Sequence, residues 1–505
     1  MSESAAPHQT GQDHESGYGA RVTTLRHTVA AGITRDLAWR RAQLGALRRL
    51  VIEHEDELTR AVVADVGKPA LEVRVTELSQ VVQEIDDLLA HLEEWTAPRP
   101  VALPAMHLPG SAHVQLQPKG VVLVIAPWNY PVQLLLNPLA GALAAGNTAL
   151  VKPSELTPTV AATLERLITR HLPMDAVQVV TGGVEETTAL LRERFDHIFF
   201  TGSPRVGRIV MRAAAEHLTP VTLELGGKSP TFVDDTVDPA AAARRIAWGK
   251  FTNAGQTCVA PDYVLVTPGA RDGLVAALGE AVTEFFGPDP ARSADLGRIL
   301  DRAQHERLVD LLGSTGGTVA VGGEHDVDDR NYLAPTVVVD PDLGAPVMTE
   351  EIFGPILPVV TVADAAEAID LIGSRERPLA LYVFSEDEDT RTAFEQETVS
   401  GGLAHGAPLI HLTVPGLPFG GVGGSGTGRY LGRASIEELS HHRSVLSKPL
   451  RPDTLAAVYP PYPAWKRTAV RRLMAPMSRS ILGSPLPAKL LSGAARLPNP
   501  LRRKG

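Results

Sequence analysis

From about Leu37 to Leu92 the apolar residues return at helical spacing, Leu44, Leu47, Val51, Leu58 and Val62 among them, with Arg and Glu between. That period predicts amphipathic helices that each press one face on a core. The pattern breaks at Pro98, Pro100 and Pro109-Gly110, which cannot continue a helix, and resumes as an alternating run over His113-Val114-Gln115-Leu116. A linker and an excursion strand are expected there. Short apolar runs then alternate with helix-length segments, at 121–125, 148–151, 177–180 and 197–200. Runs buried on both faces and separated by helices predict βαβ units around a parallel sheet. After Gly226-Gly227 the pattern restarts, with runs at 263–266, 336–339 and 379–384, so a second α/β unit is expected.

Composition narrows the class. A chain of 505 residues with 44% hydrophobic content exceeds what one core usually holds, so two or more domains are expected. The formal charge of −10 gives no basic footprint for nucleic acid, although residues 451–505 carry many Lys and Arg and a single acid, Asp453. A lone cysteine, Cys258, forms no internal disulfide, which fits a cytoplasmic setting. Residues 1–19 are polar and lack the apolar core of a secretory signal, and read as a disordered lead-in. No run reaches about 18 apolar residues, the length a spanning helix needs.

Three residues could carry chemistry. Cys258 sits among Gly255, Gln256 and Thr257, small and polar neighbours that open the backbone to a ligand; an inert core thiol needs none of this. Glu224 ends an apolar run before Gly226-Gly227, where it is either a strand-end acid paired with Lys228 or a desolvated general base. Asn129 stands between Pro127 and Pro131 in a fixed turn, as an ordinary turn residue or as an amide donor to an oxyanion. Phe200-Thr201-Gly202-Ser203-Pro204 leads from a strand into a helix whose free amides suit a pyrophosphate, although Gly202 and Gly207 have a Gly-x-x-x-x-Gly spacing instead of the usual dinucleotide fingerprint. No metal is called for.

Taken in order, the turn at 127–131, Lys152-Pro-Ser-Glu155, Phe200-Thr-Gly-Ser203, Leu223-Glu-Leu-Gly-Gly-Lys228, Gly255-Gln-Thr-Cys258, Glu351-Ile-Phe353 and Pro418-Phe-Gly-Gly-Val-Gly423 resemble the motifs of the aldehyde dehydrogenase superfamily over roughly residues 20–448. Cys258-Val-Ala-Pro-Asp-Tyr263, Pro378 to Ser385 and Ser440-His-His-Arg443 look most like its class 3 branch of fatty and aromatic aldehyde dehydrogenases. The resemblance implies an α/β protein with a Rossmann-like NAD(P)-binding domain (20–97 and 118–224), a catalytic domain (225–408), a small β oligomerisation arm (98–117 and 409–448) and a basic tail (449–505). It implies a thioester on Cys258, an oxyanion held by Asn129 and water activated by Glu224.

For the cofactor, the resemblance implies Lys152 and Glu155 at the adenine ribose, Ser203 at the pyrophosphate, and Glu351 and Phe353 at the nicotinamide end. Trp128, Gly202, Gly207, Leu225 and Gly226 complete that set. A carboxylate at Glu155 should accept from a ribose 2′-hydroxyl and repel a 2′-phosphate, so NAD is expected ahead of NADP. A homodimer acting on a small aldehyde is implied. The tail, with Trp465, Ala469, Val470, Leu473 and Met474 on one helical face, is either a solvated appendage or a peripheral contact with anionic membrane. A thiol-dependent esterase or acyltransferase is the alternative activity, since it shares the thiol, base and oxyanion donor but needs no nucleotide.

Overall fold

The computed structural model describes residues 17–474, in two compact units: residues up to 99 with 114–443, and residues 100–113 with those from 444 on. In the larger unit the runs at 121–125, 148–151, 177–180 and 197–200 become the strands Val121–Ile125, Thr148–Lys152, Val177–Val179 and His197–Thr201, every residue of them buried. With Val221–Glu224 they form a parallel sheet in which Val121–Ile125 is central, flanked by Thr148–Lys152 on one side and His197–Thr201 on the other. Strand order therefore reverses between Val121–Ile125 and His197–Thr201. In such sheets ligands bind beyond the carboxyl ends of the strands at that point, where Trp128, Asn129, Gly202 and Ser203 are found.

The second sheet of this unit has seven strands, with Pro230–Val233, Tyr263–Val266, Ile356–Thr361, Thr336–Val339, Ala380–Phe384 and Gly402–His405 parallel and Thr318–Val321 antiparallel at an edge. The expected helices over 37–92 are Leu37–Glu53, Glu55–Val66 and Ser79–Thr96, which bury Leu44, Leu47, Val51, Leu58 and Val62.

Three boundaries differ from expectation. Helix Gly17–Ala30 takes up the last residues of the 1–19 lead-in because Val22 and Leu25 are buried; residues 1–16 lie outside the described residues. The expected arm holds the strands Arg99–Val101 and Ser440–Ser447, mostly exposed, and Ser111–Pro118, mostly half-buried. Residues 409–439, expected in the arm, belong to the larger unit: Leu409, Phe419 and Tyr430 are buried, and Gly426–Thr427 pairs antiparallel with Val221–Glu224, Gly426 opposite Glu224.

In the smaller unit Lys448 Nζ donates to His107 O at 3.1 Å, and a helix spans Ala464–Met474 with Trp465 and Val470 exposed. Among the described residues no helix is long and apolar enough to cross a membrane. The side chains of Leu473 and Met474, and all of 475–505, lie outside the described residues.

Candidate active site

The loop that carries Cys258 is held in a conformation it would not adopt alone. Helix Pro239–Phe251 ends into Asn253 and Ala254, both at φ 53, a left-handed region costly for side chains with a Cβ. Gly255 follows at φ 75, where a Cβ would come within 2.3 Å of Gly354 O. Several bonds enforce the turn. Asn253 N donates to Glu72 Oε2 at 2.9 Å, Gln256 Nε2 donates to Asn253 O and Arg298 O at 3.0 Å, and Leu300 N donates to Gln256 Oε1 at 2.9 Å.

Asn129 is fastened to the same loop. Its Nδ2 donates to Gln256 O at 3.0 Å, which leaves the amide's second hydrogen for another acceptor, and its backbone oxygen accepts from Asn253 Nδ2 at 3.0 Å and Lys68 Nζ at 3.1 Å. Lys68 pairs with Glu77 at 2.7 Å, both side chains fully buried, and its ammonium lies 3.7 Å from the centre of the Tyr130 ring. Glu77 in turn accepts from Val132 N at 2.9 Å and Gln133 N at 3.3 Å, at the start of helix Gln133–Ala145. Tyr130 and Thr257 hydroxyls meet at 2.7 Å. The Asn129 turn and the cysteine loop are thus one braced assembly.

Two cavities meet at Cys258. One, of about 270 Å³, is lined by Trp128, Asn129, Gly202, Ser203, Glu224, Leu225, Gly226, Cys258, Glu351 and Phe353, ten of the thirteen residues singled out in the sequence. Gly207 lies just behind, packed on Leu225. Lys152 and Glu155 are not on this wall: they form a 3.1 Å ion pair beyond the end of the strand, Lys152 buried and Glu155 exposed. The other cavity, of about 350 Å³, is predominantly apolar, with Val75, Trp248, Val259, Leu409, Phe419 and Tyr430 on its wall.

The polar groups at this junction are desolvated. Burial and then the charges of Glu351 and Glu224 push the Cys258 thiol up to about 12, although both cavities reach its surface. Glu224, at the carboxyl end of its strand, is 2% exposed, and neither carboxylate oxygen has a hydrogen-bond partner among the described residues. Burial, reinforced by the charge of Glu438, raises it well above the usual carboxylate range. The alternative pairing with Lys228 does not form, because Lys228 binds Asp262 at 2.5 Å. Glu351 is pushed up to about 8, by burial and then by Asp262.

The first cavity has the features of a dinucleotide cleft. Gly202 and Ser203, the N-cap of helix Pro204–Ala215, line it; Glu351 Oε1 is buried without a hydrogen-bond partner among the described residues; and a Cβ on Gly226 would come within 2.0 Å of the Glu351 carboxylate, so only glycine fits beside it. Trp128 and Phe353 meet edge to face at 5.4 Å. An esterase would use none of these.

Sequence reasoning missed Lys68, Glu72, Glu77 and Asn253, and named Gln256 only as a polar neighbour of Cys258 without its bracing role. Glu72 and Glu77 sit in helical turns where charge reads as solvated surface, and Lys68 in the Gly67–Pro69 link before them; no local signal marks Lys68 and Glu77 as buried.

Comparison with known proteins agrees with this reading. Residues 33–445 match the model of the aldehyde dehydrogenase family. The chain is 48% identical to human "Aldehyde dehydrogenase family 3 member B1" over 88% of this chain and 94% of that protein. It is 46% identical to the rat "Aldehyde dehydrogenase, dimeric NADP-preferring" over 88% of this chain and 97% of that protein. The substrate-bound structure of Staphylococcus aureus AldH superposes with a TM-score of 0.87 at 41% identity, covering 91% of this chain and all of that one.

Proposed function

Since this chain belongs to the aldehyde dehydrogenase family and oxidises aldehydes with NAD(P), we propose that it does so through a thioester on Cys258, with Asn129 and Glu224 in separate roles. The observation that carries this reading is the position of Cys258, at the meeting of a cofactor-type cleft and an apolar pocket.

An aldehyde entering by the apolar pocket presents its carbonyl carbon to Cys258 Sγ. The thiol proton passes to Glu224, the sulfur lone pair forms the C–S bond, and the carbonyl pair moves to oxygen. That oxyanion is met by the second Asn129 hydrogen and the Cys258 backbone N–H. The Lys68–Glu77 brace keeps Asn129 in place, and Ser203, together with Lys152, Glu155, Glu351 and Phe353, would hold the cofactor. When bound, the nicotinamide supplies the acceptor for the hydride. Loss of that hydride leaves a thioester on Cys258. Once Glu224 has released the thiol proton to solvent, its carboxylate takes a proton from water as the water oxygen attacks the acyl carbon. Collapse of the adduct breaks the C–S bond, frees the acid and returns the sulfur to Cys258 as thiolate, which is reprotonated from Glu224. A carboxylate raised by burial is a stronger base once ionised.

The apolar pocket supports a medium- or long-chain or aromatic aldehyde as substrate. Across a homologous series of straight-chain aldehydes, kcat/KM should climb by roughly tenfold for every two buried methylenes until the pocket is full. A flat or falling series would remove this assignment. A homodimer and a cytoplasmic setting complete the proposal, the former supported by the relative named as dimeric. Exposed Trp465 and Val470, beside Lys466, Arg467 and Arg471, support docking of the tail on anionic lipid. Equal sedimentation of full-length and 1–450 proteins with anionic vesicles would remove that element.

A further inference from the structure

Away from both cavities, three helix ends meet around two imidazoles. His54 lies between helix Leu37–Glu53 and helix Glu55–Val66, and His171 is the last residue of helix Pro158–His171. Their Nε2 atoms are 3.2 Å apart and their rings nearly perpendicular, at 87°. Glu53 brings a carboxylate, and one ligand atom from each of the three residues lies within 4.8 Å of the others. We infer that Glu53, His54 and His171 form a binding site for a divalent transition-metal ion of zinc's size and ligand preference.

The spacing fits that ion. Two nitrogens bound to one tetrahedral zinc at ~2.0–2.1 Å stand about 3.3 Å apart, so the imidazoles already hold the bite a zinc requires. Two imidazoles and a carboxylate with a water in the fourth position make a donor set suited to zinc, and poorly to calcium or magnesium. The other nitrogen of His54 is also engaged: its Nδ1 is 3.4 Å from Glu57 Oε2, the carboxylate contact that fixes a ligating imidazole with Nε2 free for metal. Arg166 in turn holds Glu57. The helices ending at Glu53 and His171 direct the negative ends of their dipoles here; the helix that starts at Glu55 brings its positive end, answered by Glu55, Asp56 and Glu57 in its first turn. Arg49 and Arg170 are close to His171 but exposed, so water screens them. A bound ion would staple the corner of the first two helices to the end of the third. The sequence hides the site because His171 lies 117 positions from His54.

The test uses full-length protein carrying Cys258→Ala, so that the reactive thiol offers no ligand, titrated with Zn²⁺ by calorimetry and with Co²⁺ by visible absorption. One equivalent of Zn²⁺ should bind and raise the melting temperature, and Co²⁺ should give the intense visible bands of a tetrahedral site. Adding His171→Ala should abolish both, and Glu57→Gln, which leaves all three ligands in place, should weaken binding by roughly 10–100-fold. If no Zn²⁺ binds, or if the His171→Ala protein binds it as tightly, the pair is only a histidine–histidine hydrogen bond and the inference is overturned. If His171→Ala fails to fold, Glu57→Gln decides alone, unchanged affinity counting against the site.

Discussion

Replacing Lys68 by Met separates what the buried ion pair does for stability from what it does for catalysis. The substitution keeps the volume of the side chain but strands Glu77, fully buried and still accepting from Val132 N and Gln133 N, without a counter-charge. Breaking such a pair from one side costs about 3–5 kcal/mol. At roughly 2 °C per kcal/mol for a large domain, the melting temperature should fall by ~6–10 °C. Asn129 O keeps only its bond from Asn253, so the oxyanion donor loses one of its three anchoring hydrogen bonds. A displacement of about 1 Å there lowers kcat by up to ~100-fold. The double variant Lys68→Met/Glu77→Gln removes both charges while the new amide still accepts from Val132 N. It should recover at least half of the lost melting temperature and none of the lost kcat. Thermal unfolding and steady-state nicotinamide reduction measure the two effects. A double variant no more stable than the single one, or one with kcat restored, would refute this division of labour.

Two further outcomes follow from the charges at the site. Glu155 is exposed, so its repulsion of a 2′-phosphate is screened; Glu155→Gln should raise kcat/KM for NADP relative to NAD by roughly tenfold, and an unchanged ratio would place the selectivity elsewhere. Because the thiol is held up to about 12, its thiolate fraction in the cofactor-free enzyme grows with pH, so alkylation of Cys258 by iodoacetamide should keep rising about tenfold per pH unit beyond pH 9. A plateau near pH 8 would show that the thiol is not desolvated as described.

How much of this was legible before the fold was known depends on the range of the interaction. The parallel strands were readable because runs such as Val121–Ile125 are buried on both faces, and that demand is written locally in apolar side chains. Cys258, Glu224 and Asn129 were readable because each stands in a short segment of Gly, Pro or small residues. The place of 409–439 was not, since its position depends on Phe419 and Tyr430 entering a core built by strands some two hundred residues earlier: Tyr430 meets Phe199 at 5.1 Å. Lys68 and Glu77 show the same limit. Glu77 reads like the solvated Glu of its helical segment and Lys68 like a charged residue of a Gly-Lys-Pro link, and only tertiary packing makes them a buried brace.

The thioester route is tested most directly by rapid mixing of aldehyde and NAD with wild type, Cys258→Ala and Glu224→Gln, following both reduced nicotinamide and acid release. Wild type should turn over continuously and Cys258→Ala should form no reduced cofactor. Glu224→Gln should release about one reduced cofactor per site and then slow by ~10²–10⁴-fold, as the acyl group stays on sulfur. Sustained nicotinamide reduction by Cys258→Ala, or full-rate acid release by Glu224→Gln, would contradict the account.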